Sequence, residues 1–230
     1  MRTVRAMVIM AMVSVTPVWM PTLASAQTTA APAPQQQDTD QGVGVGALGG
    51  LTITSARGED TENIASGTGW MFGIWFGGNI NGPVGFMAEL SYVRKKITAD
   101  FDPDNNYLTI NYLEIPALVR FNIGSRMREG LRGYGLVGPV FDVRLSSKFF
   151  EDGEEITDDE FEEVFGLENV FSSVDIGIMA GAGIEWNRIG FEFRYSWGLM
   201  QLTTDEAADS GLFPTVKANT IQILGKFRFN

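Results

Sequence analysis

The chain has 230 residues, 28 acidic and 17 basic side chains, a formal net charge of -11, and neither cysteine nor histidine. Those absences exclude a disulfide framework, a thiol nucleophile, thiolate or imidazole metal sites and catalysis of the Ser-His-Asp kind. The acidic balance disfavours nucleic acid, which is bound by neutralising phosphates. A hydrophobic share of 44% fits a globular or membrane protein rather than a disordered one.

Arg2 and Arg5 precede an apolar run over residues 6–18, and Ala24-Ser25-Ala26 supplies the small-x-small pattern of a signal-peptidase site. Residues 1–26 therefore read as a secretory signal, cleaved before Gln27. The run is short for a membrane span of about 20 residues and is interrupted at Pro17, which argues against an uncleaved anchor. No cysteine follows to carry a lipid. Residues 27–41, rich in Pro, Gln, Thr and Ala, read as a flexible tether, and residues 42–230 as the folded domain.

From Gly42 onward the recurring period is two, the signature of strands. The opening strand, residues 42–54, sets Val43, Val45, Ala47, Leu51 and Ile53 against mostly glycine. The second alternates Trp70, Phe72, Ile74 and Phe76 with Gly69, Met71, Gly73 and Gly77. The third alternates Phe86, Ala88, Leu90 and Tyr92 with Glu89, Ser91 and Lys95. The fourth sets Leu113, Ile115, Ala117, Val119 and Phe121 against Glu114, Pro116 and Arg120. In the fifth, Val137, Pro139, Phe141, Val143 and Leu145 oppose Asp142, Arg144 and Ser146. The sixth, residues 174–186, places Asp175, Gly177, Met179, Gly181, Gly183 and Glu185 on the less apolar face. The seventh, residues 189–200, does the same with Glu192, Arg194 and Ser196. The eighth sets Ile221, Ile223, Phe227 and Phe229 against Thr220, Gln222, Lys226 and Arg228.

Connections after even-numbered strands are short: residues 79–83, 124–130 and 187–188. Those after odd-numbered strands are mostly longer: residues 55–66, 100–106, 150–171 and 203–215. An even strand count, alternating loop lengths, apolar-out and polar-in strands and a secretory signal together predict an all-β, eight-stranded antiparallel up-and-down transmembrane barrel in the bacterial outer membrane. A secreted barrel or sandwich with the apolar stripe inside is the competing fold. It is disfavoured because Trp, Phe, Tyr and Ile crowd one face of nearly every strand, while glycine and isolated charges occupy the other.

The segment Tyr112-Leu113-Glu114-Ile115-Pro116 resembles the YLEIP strand of the PorT-like outer-membrane β-barrel proteins of Bacteroidota and related bacteria. Tyr134-Gly135-Leu136-Val137-Gly138-Pro139, residues 180–185 and residues 194–199 resemble that family in the same order, so the similarity covers about 42–229. Phe229 is penultimate, where the C-terminal signal of outer-membrane proteins ends on an aromatic residue. The resemblance implies an eight-stranded outer-membrane barrel and carries over no catalytic residue.

Eight strands enclose a space that side chains just fill. The inward charges are Glu89, Glu114, Asp142, Asp175, Glu185 and Glu192 against Lys95, Arg120, Arg144, Arg194, Lys226 and Arg228. Charges in a dry lumen need partners, so these residues are expected to form an ion-pair ladder, with Glu114–Arg144 and Glu192–Arg228 as candidate neighbours. Such a ladder plugs the barrel; a narrow gated pore opened by switching pairs is the alternative. Gly42-Val43-Gly44-Val45-Gly46 is no phosphate loop, because no Walker lysine and no helix follow.

Residues 150–171 carry ten acids and no base. Thr157-Asp158-Asp159-Glu160 is a capping box, and Phe161, Val164 and Phe165 follow at helical spacing, which predicts a short amphipathic helix ending at Gly166. Asp152, Glu154, Glu155, Asp158, Asp159 and Glu160 are candidates for weak cation binding or simply a solvated acidic surface; the spacing is not an EF-hand. Trp70, Tyr92, Tyr107, Trp186 and Trp197 suit interfacial belts. No cofactor, resident metal or enzymatic activity is expected. The expected partners are outer-membrane lipid, the barrel-assembly machinery and an extracellular ligand of the acidic loops, with the protein a monomer.

Overall fold

A computed structural model describes residues 42–58, 64–99, 105–123, 130–152, 154–156, 172–202 and 216–230. The expected signal, tether and amphipathic helix lie outside the described residues. Among the described residues nine strands form in chain order: β1 (Gly44–Gly58), β2 (Ile64–Gly78), β3 (Val84–Ala99), β4 (Tyr107–Ile123), β5 (Leu131–Glu151), β6 (Glu154–Ile156), β7 (Val174–Trp186), β8 (Ile189–Gly198) and β9 (Val216–Arg228).

Eight of them close into a barrel. Neighbours run β4-β3-β2-β1-β9-β8-β7-β5, and β5 pairs back onto β4. Every pairing is antiparallel. The seam between first and last strands continues past β9. The Phe229 amide donates to the Val45 carbonyl at 2.8 Å, and Asn230 accepts from the Val45 amide at 3.1 Å. Closure leaves no open edge among the eight strands, the condition a sheet must meet in lipid.

The alternation fixes which face is which. On β8, Ile189, Phe191, Phe193 and Trp197 are exposed while Gly190, Glu192, Arg194 and Ser196 are buried. The same parity puts Trp70, Phe72, Ile74 and Phe76 outside on β2, with Met71 and Trp75 inside. Barrel strands of 10 to 21 residues are long enough to cross a bilayer, which needs about 9–11 tilted residues. Aromatic rings pack along the outer wall: Trp70, Phe72 and Tyr92 form a trio with centroids 5.4, 5.5 and 5.6 Å apart, and Tyr195 meets Trp197 edge-on at 4.5 Å.

The two described short turns use asparagine where the chain needs a left-handed residue. Asn79 and Asn187 have φ of 53° and 55°, and Asn79 donates from its side chain to the Val84 carbonyl at 2.6 Å. At the other end β5 overshoots its expected length. The residues anticipated as the start of a loop instead make a hairpin, with Asp152 at φ 51° and β6 paired to β5 through Glu151 and Glu154. Cross-strand pairs explain the extension: Phe149 faces Ile156, and Lys148 binds Glu155 at 2.7 Å.

Candidate functional site

The inward face of the barrel gathers most of the buried charge. Its centre is Arg194 on β8, fully buried. Its two terminal nitrogens donate to the two oxygens of Glu89, each at 2.7 Å, a fork-to-carboxylate match. Its Nε donates to Glu192 at 2.6 Å. Lys226 on β9 lies 3.2 Å from Glu89 and 3.0 Å from Glu192, and the Tyr134 hydroxyl donates to Glu192 at 2.6 Å. Two cations therefore face two carboxylates.

Ring order gives this cluster its geometry. β3 and β8 are four strands apart in either direction around the barrel, so Arg194–Glu89 spans it from wall to opposite wall. A second crossing lies beside the first. Gln222, the register partner of Arg194, donates to both oxygens of Glu114 at 2.9 and 3.0 Å, and β9 and β4 are again four strands apart. Glycine makes room for the cluster: a Cβ on Gly183 would stand 2.7 Å from both the Tyr134 ring and the Glu192 chain.

Toward the long-loop end, Lys95 binds Asp142 at 2.5 Å. Ser91, Glu114, Asp142 and Asp175 are successive register partners across β3, β4, β5 and β7, all buried. Leu202, Val216 and Ala218 form a separate apolar cluster at that end. Toward the short-turn end, Glu185 takes two arginines, Arg120 at 3.0 Å and Arg228 at 2.8 Å. Arg120 also stacks on Tyr134, 3.8 Å from the ring centroid.

Both neighbour pairs expected from the sequence are replaced by others. Arg144 is half-buried and donates to Ser147 at 3.1 Å; no ion pair joins it to Glu114 among the described residues. A register shift between Asn111 and Tyr112 puts Tyr112 opposite Arg144 and Asp142 opposite Glu114. Arg228 reaches Glu185 rather than Glu192, which Arg194 and Lys226 occupy. Asp175 is buried with no ion pair among the described residues.

Sequence reasoning passed over several interior residues that line the charge cluster, among them Trp75, Tyr112, Tyr134 and Met87. Parity was the available signal, since each falls on the same face as a predicted inward residue. Of the acidic-loop candidates, Asp152, Glu154 and Glu155 sit at the exposed β5–β6 tip, and Asp158, Asp159 and Glu160 lie outside the described residues. Among the described residues no three acidic side chains converge as metal ligands do.

A closed ring of eight antiparallel strands, apolar outside and charged inside, defines a transmembrane β-barrel. The chain belongs to the outer membrane protein beta-barrel domain family, whose model matches residues 26–204. No curated protein matches it. Among solved structures it is similar to Ail, the attachment invasion locus protein of Yersinia pestis, at 16% identity, 81% of this chain, 99% of that one and a TM-score of 0.41. It is also similar to Neisserial surface protein A, at 11% identity, 82% and 99% coverage and a TM-score of 0.47. The N-terminal barrel domain of Pseudomonas aeruginosa OprF is similar at 9% identity, 80% and 99% coverage and a TM-score of 0.31. The protein is thus a bacterial outer-membrane barrel, its wall in contact with lipid.

Proposed function

We propose that this protein is a non-enzymatic, plugged outer-membrane barrel that presents its acidic outer hairpins as a structural or ligand-binding surface. The observation that carries the reading is the pair of crossings, Arg194–Glu89 and Gln222–Glu114, each joining opposite walls of the lumen. Side chains that meet in mid-lumen support a plugged barrel. The chain holds no histidine to serve a serine nucleophile, which supports the non-enzymatic assignment.

Within the outer-membrane family, the Tyr112–Pro116 strand supports a PorT-like member. The protein would be exported by a signal over residues 1–26, carry a tether over residues 27–41, be inserted by the barrel-assembly machinery and act as a monomer. Short turns in such barrels face the periplasm, which supports an extracellular β5–β6 hairpin. Planar-bilayer recording tests the plug: steady conductance should be negligible. Large, stable channels would favour the narrow gated pore instead.

A further inference from the structure

Among the described residues, the buried side-chain atoms that lack a hydrogen-bond partner include two hydroxyls, of Ser91 and Thr109, and otherwise divide by chemistry and by depth. The carbonyl and carboxylate oxygens belong to Asn111, Asp142, Asp175, Asn219 and Gln222, from the middle of the lumen to its long-loop end. The two N–H groups, Trp75 Nε1 and Arg228 Nε, lie together at the short-turn end. Register brings them together: Gly46 is the partner of Arg228, and a Cβ on Gly46 would stand 2.5 Å from Trp75 Nε1.

Both residues line a cavity of about 10 Å³, room for roughly one water-sized atom. Arg120, Arg188, Lys226 and Arg228 line it against Glu185 alone. Lys226 is already balanced by Glu89 and Glu192, but Glu185 must answer both Arg120 and Arg228. The mouth is therefore left with uncompensated positive charge and two donors with nothing to donate to. A water placed there would accept both bonds and could donate to Glu185, but would leave the excess positive charge unanswered. An anionic oxygen accepts the same two bonds and supplies the missing charge.

We infer that the short-turn mouth is a binding site for one anionic oxygen, from a phosphate or carboxylate group presented on the periplasmic side, received by Trp75 Nε1 and Arg228 Nε. The site lies outside the lumen crossings and does not depend on whether the barrel conducts.

The test follows the indole N–H signals of the full chain, labelled at tryptophan and held in detergent micelles, during titration with inorganic phosphate and separately with acetate. Trp75→Phe assigns the signal, and a gel shift on boiling checks that each variant is folded. The Trp75 signal should move saturably, and the tighter of the two probes identifies the group. Arg228→Lys keeps the charge but removes the Nε–H, and should bind about tenfold more weakly, the loss of one charge-assisted bond. A shift that never saturates, or one equal in wild type and Arg228→Lys, would overturn the site and leave only water there.

Discussion

Arg194 and Glu89 stand on diametrically opposed strands and meet across the lumen through two parallel hydrogen bonds of 2.7 Å. Neither side chain has measurable exposure, so neither charge has water to fall back on.

Removing Arg194 alone therefore leaves Glu89 and Glu192 sharing only Lys226. Arg194→Leu should destabilise the folded barrel by about 3–5 kcal/mol, the cost of breaking a buried pair from one side. Replacing the whole group, with Glu89→Gln, Glu192→Gln and Lys226→Met added to Arg194→Met, should recover most of that loss. Urea unfolding in lipid vesicles reads both.

The two crossings obstruct the same lumen, so either should suffice to seal it. Glu114→Ala with Gln222→Ala, which deletes the second crossing, should leave the bilayer silent. Adding Glu89→Ala, which also releases one end of the first, should produce measurable conductance. Currents from the double variant alone would mean that the Arg194 crossing does not seal.

Gly183 faces the lumen beneath Tyr134 and Glu192. Gly183→Val forces a branched side chain against both, and should cost about 1–3 kcal/mol by overpacking. Pairing it with Tyr134→Phe should not relieve the clash, because the ring remains. Thermal melting followed by circular dichroism in micelles separates the two variants.

The outer wall should respond to charge as lipid-facing surface does. Ile74→Arg puts a guanidinium on the exposed apolar face and should cost about 2–4 kcal/mol near the bilayer midplane. By contrast Lys148→Ala breaks an exposed pair with Glu155 and should cost at most about 1 kcal/mol. If the two substitutions cost the same, the wall is not in contact with lipid.

The hairpin tip carries Asp152, Glu154 and Glu155 without converging ligands. Calorimetric titration with calcium should show no binding tighter than about millimolar.

The strand faces were legible because a period of two is local: each residue's side follows from its neighbours' along the chain. Ile189 to Trp197 reads correctly from β8 alone. The partners of the buried charges were not legible, for two reasons. Register is set by pairing between strands and not by either strand alone, and it puts Asp142, not Arg144, opposite Glu114. A barrel also lets side chains bond across its interior, so Arg194 finds Glu89, 105 residues earlier in the chain, in preference to a residue on the next strand. Loop ends were misjudged at β5 because hairpin pairing depends on a returning segment, here Glu154–Ile156, that is itself too short to show a period.

A ring of strands held only by its perimeter deforms easily from round to oval, since that motion bends walls without breaking bonds between neighbours. Arg194–Glu89 and Gln222–Glu114 act as spokes on that hoop. Lateral pressure from the bilayer, which would flatten an unbraced ring, must here shorten or stretch a charge-assisted bond along the diameter. The same residues that fill the lumen thus set the mechanical stiffness of its cross-section.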